Sequence, residues 1–465
     1  MAKAKTVGEL RDSGYAVLSV RDEMRKNLVR KLESGETVFE GIVGFEDTVI
    51  PQVQNAILAG QDIILLGERG QAKSRMIRSM LNLLDETVPA IAGCELNDNP
   101  FDPICSSCKE TLRHLGEDTP VEWVSRDKRY GEKLATPDIT IADLIGEVDP
   151  IRVAEGRYLS DEMTIHYGLI PRTNRGIFCI NELPDLSERI QVGLFNIMEE
   201  RDVQIKGYKI RLPLDIFLVA SANPEDYTNR GRIITPLKDR FGAQIRTHYP
   251  KEIEQEIQIM DKERDTFDVG GRYQVRVPQF MKEVVAEFTN LARRSPDVNQ
   301  RSGVSVRVSI GNYETVVSNA LRRAITLKEP VAAPRVSDLR YLNASTQGKI
   351  EIESMEEGRE PRIIEDLLKR SVLNTFNRHF SVHEFDDLLR KFDEGSSVEV
   401  GEAMNSQQYV DKVGDLAGMR NAAKQLEAGG SSAEVASVVE FVLEGLHLNR
   451  RLNKDRQETT ARYRA

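Results

Sequence analysis

A lysine and a serine side by side behind a glycine-rich turn can hold a triphosphate. The chain carries that arrangement in LLGERGQAKSRM, Leu65 to Met76. It departs from the phosphate-loop pattern G-x-x-x-x-G-K-[ST] at one place, Ala72, where a second glycine is expected. The turn Gly67, Glu68, Arg69, Gly70, Gln71, Ala72 would aim backbone N–H groups at phosphate oxygens, with Arg75 just inside the following helix. Lys73 would place a point charge on the β- and γ-phosphates, and the Ser74 hydroxyl would ligate Mg²⁺. Glycine is required where φ is positive or where backbone closely approaches a ligand. The residue before the lysine is expected to be entering the helix already, where alanine fits. A chance Lys-Ser pair after a glycine turn is the alternative.

Triphosphate hydrolysis also needs carboxylates on a second strand, one for the metal shell and one to orient water. The apolar run Ile177–Ile180 ends in Asn181-Glu182. Glu182 is placed as the general base. Asn181 stands where an aspartate is expected; it can hydrogen-bond a magnesium-bound water but carries no charge. That weakens the metal site without abolishing it, because Ser74 and the phosphates supply most contacts. A third run, Ile216–Ala220, enters SANPED and puts Asn223 just past its end. PLKDRF places Arg240 where it could stabilise transition-state charge; a surface salt bridge is the ordinary fate of such an arginine.

A second cluster lies between these segments. Cys105 and Cys108 form C-x-x-C, with Cys94 upstream and His114 downstream. Three thiolates and an imidazole would complete a tetrahedral zinc site. The spacing matches no standard finger, so a redox pair and inert thiols stay open. Cys179, inside an apolar strand, is expected to be core packing.

The elements that must position these groups can be read from the pattern. Short apolar runs, IILL at 63–66, IFCI at 177–180 and IFLVA at 216–220, alternate with helical segments. They predict a parallel sheet covered on both faces, and so an α/β domain. Residues 1–36 form a polar helical segment, with Met24, Leu28 and Leu32 at helical spacing, and the α/β domain covers 37–250. Helical periodicity dominates a lid at 251–345, and a C-terminal helical extension follows at 346–465. NRRLNKDRQETTARYRA at the end is expected to be a frayed polar tail. The 465 residues carry 40% hydrophobic and 30% charged side chains, ordinary for a globular chain of several domains. No apolar run is long enough to span a bilayer, and no secretory pattern opens the chain. A net charge of −10 argues against a broad nucleic-acid surface, and four cysteines make no disulfide framework. The expected compartment is the cytosol.

With these segments in order, the chain resembles the AAA+ ATPases of the magnesium-chelatase ATPase subunit and MoxR branch, over roughly residues 38–330. FEGIVGFEDTV, 39–49, resembles the segment that cups adenine, through Ile42 and Val43. GERGQAKS, 67–74, sits at the Walker A position. DLIGEVDP, 143–150, followed by GLIPRTNRGIFCINELPDL, 168–186, resembles the run into Walker B. VASANPED, 219–226, resembles sensor 1, and PLKDRFG, 236–242, the arginine-finger segment. The resemblance implies a P-loop core with an all-α lid, ATP and Mg²⁺ as ligands, Glu182 as catalytic base and Asn223 as sensor 1. It makes Arg240 a finger reaching the neighbouring subunit's nucleotide in a homo-oligomeric ring, usually a hexamer. SVRVSIGN, 305–312, resembles the sensor 2 helix start, with Arg307 as the cis arginine and Arg301 as its competitor. VQIKGYKIRL, 203–212, resembles the family hairpin, with Lys206-Gly207 at its turn. The partner implied is a protein with a von Willebrand factor A domain. Three functions follow: a remodelling motor, a true magnesium-chelatase subunit acting on a porphyrin, or a nucleotide-gated scaffold with little turnover.

Overall fold

The computed structural model describes residues 3–148, 164–199, 202–204, 211–223, 231–265, 267, 270–300, 302–353, 358–414, 417–456 and 460–465. The chain divides into two compact units, Met1–His248 and Tyr249–Ala465.

The first unit is built on five parallel strands: β1 (Ile63–Leu66), β2 (Tyr130–Leu134), β3 (Gly176–Asn181), β4 (Ile216–Ala222) and β5 (Ala243–Arg246). They lie in the order β5-β1-β4-β3-β2. Successive side chains leave a strand on opposite faces, and both faces of this sheet are apolar. Ile177, Cys179, Phe217, Val219, Ile63 and Leu65 enter one core. Phe178, Ile180, Leu218, Ala220 and Ile64 enter the other. The predicted α/β architecture is therefore present, and Cys179 is core packing, its thiol pushed up to about 12 by burial.

Helices Val20–Ser34, Val49–Leu58 and Lys73–Ser79 feed the first of these cores. Ser19 opens the first of them by accepting the Asp22 N–H, and Gly35 closes it with φ of 71°. Met24 and Leu28 are buried as predicted, but Leu32 is 45% exposed. The helix is further anchored by a buried pair: Arg129 donates to both Glu23 oxygens, at 2.8 and 2.5 Å. The Asp85 N–H donates to the same carboxylate at 2.6 Å. The helix that follows the glycine-rich turn is short. It ends at Ser79 and tightens into a 3₁₀ turn, Met80–Leu83, with Leu81 half-buried.

The second unit is mainly helical. Gln279–Arg294, Val306–Leu327, Glu360–His379 and Ser432–Leu448 contribute to shared apolar packing. Phe280 and Phe441 stack at 4.5 Å between centroids. The long apolar helix opens with Ser431 as its N-cap, accepting the Glu434 N–H. The chain end departs from expectation. Asn453–Arg456 and Thr460–Arg464 are antiparallel strands, and the latter also pairs with Val398–Gly401. Tyr463 anchors them: it is 2% exposed and donates its hydroxyl to Glu444. One buried aromatic among charged residues was too weak a signal to outweigh the polar text. Among the described residues no helix is long and apolar enough to cross a membrane.

Candidate functional site

Strand register sets the site. Leu66 of β1 pairs with Ala222 of β4, Ala220 pairs with Ile180 of β3, and Asn181 pairs with Leu134 of β2. The carboxyl ends of all these strands therefore share one edge, the usual ligand edge of an open parallel sheet. The Gly67 loop, Glu182 and Asn223 all emerge there. The Gly67 N–H donates to the Ala222 carbonyl at 3.1 Å, which docks the loop on the strand that delivers Asn223.

The loop is closely packed. A Cβ on Gly67 would fall 1.9 Å from Thr247 Oγ1 and 2.3 Å from Gln71 Oε1, so only glycine fits. Gln71 is buried; its Oε1 accepts the Glu68 N–H at 3.1 Å and the Thr247 hydroxyl at 2.6 Å. Gly70 has φ of 77°. Lys73 is 8% exposed, and its ammonium donates to the Gly67 and Glu68 carbonyls, the latter at 2.8 Å. Ser74 and Arg69 are exposed. Ile42 is buried with Phe39 and Phe45 in the core that also takes Met76 and Ile77 of the loop helix; Val43 is half-buried. Arg75 lies against Gly41, where an added Cβ would be 2.8 Å from its guanidinium.

Ala72 corrects an expectation. It is the N-cap of the loop helix with φ of 52° and ψ of 17°, a left-handed conformation. The residue has not yet entered the helix, and the position is one that glycine adopts without strain. Glu182 is left-handed too, with φ of 54°. Strained backbone at such positions is common where chemistry is done.

Asn181 has a definite environment. It accepts the Ser221 hydroxyl at 3.1 Å and donates Nδ2 to Glu132 Oε1 at 2.6 Å. Glu132 also receives Arg78 at 3.1 Å through two nitrogens and the Tyr130 hydroxyl at 3.1 Å. Burial works to raise the Glu132 carboxyl, but the bonds from Arg78, Tyr130 and Asn181 outweigh it and hold its pKa below the usual range. An aspartate at 181 would face that carboxylate directly. Glu132 was missed in the sequence because it lies on an edge strand, YGEKL, with no motif and mixed polarity.

Asn223 is 2% exposed at the end of β4. Arg240 ends the helix Thr235–Arg240, donates to Glu199 Oε2 at 3.1 Å through Nε, and lies 4.4 Å from the Phe195 ring centroid. Within one chain it therefore has the salt bridge weighed against the finger role. Arg307, in the second unit, is exposed in the first turn of Val306–Leu327, its N–H donating to Ser305 Oγ. Arg301 lies outside the described residues, as do the turn of the 203–212 segment and the second half of SANPED. The flanks of the former pair antiparallel, Val203 with Leu212. The loop suits a nucleotide: a cradle that a side chain would fill, a buried lysine at its rim and an exposed hydroxyl for a cation.

The cysteines gather differently from expectation. Cys94, Cys105 and Cys108 converge with Asp98, whereas His114 is 71% exposed and lies 3.8 Å from Glu110 on its own helix. The imidazole does not join the cluster. It follows Cys105 by more than two helical turns, and Asp98 occupies the gap instead.

No protein-family profile matches the chain. It is 26% identical over 323 residues to the magnesium-chelatase subunit ChlI of Nostoc sp., covering 65% of this chain and 80% of that one. It is 29% identical over 235 residues to the magnesium-chelatase 38 kDa subunit of Cereibacter sphaeroides, covering 50% of this chain and 64% of that one. A chain of the cryo-EM complex between subunits BchI and BchD of magnesium chelatase is 20% identical, covering 71% of this chain and 98% of that one at a TM-score of 0.37, an overlay too loose to carry an argument. The glycine-rich loop, the parallel sheet that presents it and the similarity to these subunits agree, and together they support an AAA+ ATPase of the magnesium-chelatase ATPase subunit and MoxR branch.

Proposed function

We propose that this chain works as one subunit of a ring, a hexamer, in which ATP hydrolysed between neighbours drives the remodelling or activation of a partner protein. The observation that carries this is the strand register, which delivers the Lys73 loop, Glu182 and Asn223 to one sheet edge. In this reading the N–H groups of Gly67–Ala72 and the Lys73 ammonium bind the β- and γ-phosphates, and Ile42 and Val43 flank the base. Ser74 and Asn181 would hold Mg²⁺, which would supply charge neutralisation across the phosphates when bound. Glu182 takes a proton from the attacking water, and Asn223 orients that water or the γ-phosphate. Arg240 exchanges Glu199 for the nucleotide of the adjoining subunit, and Arg307 serves in cis from the helical unit. The lid at 251–345 and the extension at 346–465 transmit the cycle to the partner.

The partner proposed is a protein with a von Willebrand factor A domain, and the compartment is the cytosol; nucleic acid is not the target. A second reading, a true magnesium-chelatase subunit, is favoured by the similarity to ChlI and to the 38 kDa subunit. A nucleotide-gated scaffold is favoured by Asn181 and the strained Ala72. ATP titration of the full chain tests the shared premise: binding with Mg²⁺ is expected, and Lys73→Ala should remove it. Undiminished binding in Lys73→Ala overturns the site. Metal insertion into a porphyrin supports the chelatase, and binding without turnover supports the scaffold.

A further inference from the structure

The antiparallel strands Thr87–Ile91 and Val121–Ser125 are joined by a long excursion that carries the remaining cysteines. We propose that Cys94, Asp98, Cys105 and Cys108 in this excursion form a structural zinc site. One ligating atom from each residue lies within 4.8 Å of all the others. In a tetrahedral zinc site with Zn–S bonds of about 2.3 Å, neighbouring sulfurs sit roughly 3.8 Å apart, so the four groups need close by only about 1 Å. Three thiolates and one carboxylate oxygen fill the four positions of a closed structural site, and the soft sulfur donors select zinc over magnesium or calcium.

The carboxylate is the observation that most needs a cation. Asp98 is fully buried. Its Oδ2 accepts the Cys105 N–H at 3.0 Å, while its Oδ1 is buried without a hydrogen-bond partner. Enclosing a carboxylate with one oxygen unanswered is costly, and a metal ion in the cluster removes that cost. The backbone also favours thiolates here. The Leu96 N–H donates to Cys94 Sγ and the Cys108 N–H to Cys105 Sγ, both at 3.3 Å. Cys105 is moreover the N-cap of the helix Ser106–Leu115, so its sulfur sits at the positive end of the helix dipole. Binding releases thiol protons and ties together three points of a loop that has few apolar residues of its own. The four ligands lie on a different segment from the phosphate loop, and a measurement of zinc content does not depend on ATPase activity.

The full chain, purified reduced and without chelator, should carry about one zinc ion by elemental mass spectrometry. The stripped chain titrated with Co²⁺ should develop a thiolate-to-cobalt charge-transfer band. Cys105→Ser should abolish that band, Asp98→Asn should weaken cobalt affinity by at least roughly tenfold, and His114→Ala should leave both zinc content and band unchanged. If Cys105→Ser does not fold, the wild-type titration and the other two variants still decide. Absence of zinc together with no cobalt band in the reduced wild type overturns the proposal. So does full affinity in Asp98→Asn, a loss in His114→Ala, or iron in place of zinc.

Discussion

The two residues that break the phosphate-site pattern have different physical consequences. Ala72 holds φ of 52°, which costs a non-glycine residue roughly 1–2 kcal/mol. Glycine would relieve this but would add unfolded-state freedom worth roughly 0.4–1 kcal/mol. Ala72→Gly is therefore expected to stabilise the chain by about 0.5–1 kcal/mol in urea unfolding. Destabilisation would show that the methyl group makes packing contacts that outweigh the strain. Asn181 in turn is matched to Glu132, whose folded pKa is depressed. A depressed carboxyl contributes stability that is present above its unfolded pKa and lost as pH falls through the folded value. Stability should thus drop as pH falls from the ordinary glutamate range downward, and Glu132→Gln should flatten that part of the curve. An unchanged acid limb would mean that Arg78 and Tyr130 do not hold the charged form.

Among the elements, the phosphate-loop strand, the Glu182 strand and the Asn223 strand were legible as uninterrupted apolar runs, because both of their faces are covered. The outer strands were not. YGEKL and AQIR mix charged residues among their apolar ones, so their text does not separate them from loop. The same limit hid Glu132. Asp98 was hidden for another reason: a lone carboxylate has no spacing signal, whereas imidazole, a common zinc donor, made His114 the expected ligand. The φ of Ala72 was misread because a helix boundary, unlike a helix, has no periodicity. The clamp between Glu23 and Arg129 was equally silent, since it joins residues far apart in the chain. Its consequence is testable. Glu23→Ala leaves the Arg129 guanidinium, 1% exposed, without its counter-charge. The expected loss is about 3–5 kcal/mol in chemical unfolding. A loss under about 1 kcal/mol would show that the helix Val20–Ser34 is held by its apolar face alone.

At the scale of the whole molecule, a finger role for Arg240 means that one chain is not a complete catalyst. Arg240 is engaged with Glu199 inside its own chain, so its service to a neighbour depends on assembly. Arg240→Ala should lower steady-state ATP turnover by roughly 10³-fold or more while leaving ATP affinity within about threefold. If affinity falls and turnover of the bound nucleotide does not, the arginine binds nucleotide or holds the fold and is not a finger. Wild-type turnover per chain should also rise with protein concentration through the range where rings form.

The most direct measurement compares ATP binding and steady hydrolysis in the wild-type chain and in Glu182→Gln, with Mg²⁺ present. Both proteins are expected to bind ATP, the wild type to turn it over, and the variant to lose at least about a hundredfold in rate, the share a positioned general base contributes. Equal turnover in the two proteins would contradict a general-base role for Glu182, because the carboxylate on the same sheet edge as the Lys73 loop would then have no part in the chemistry.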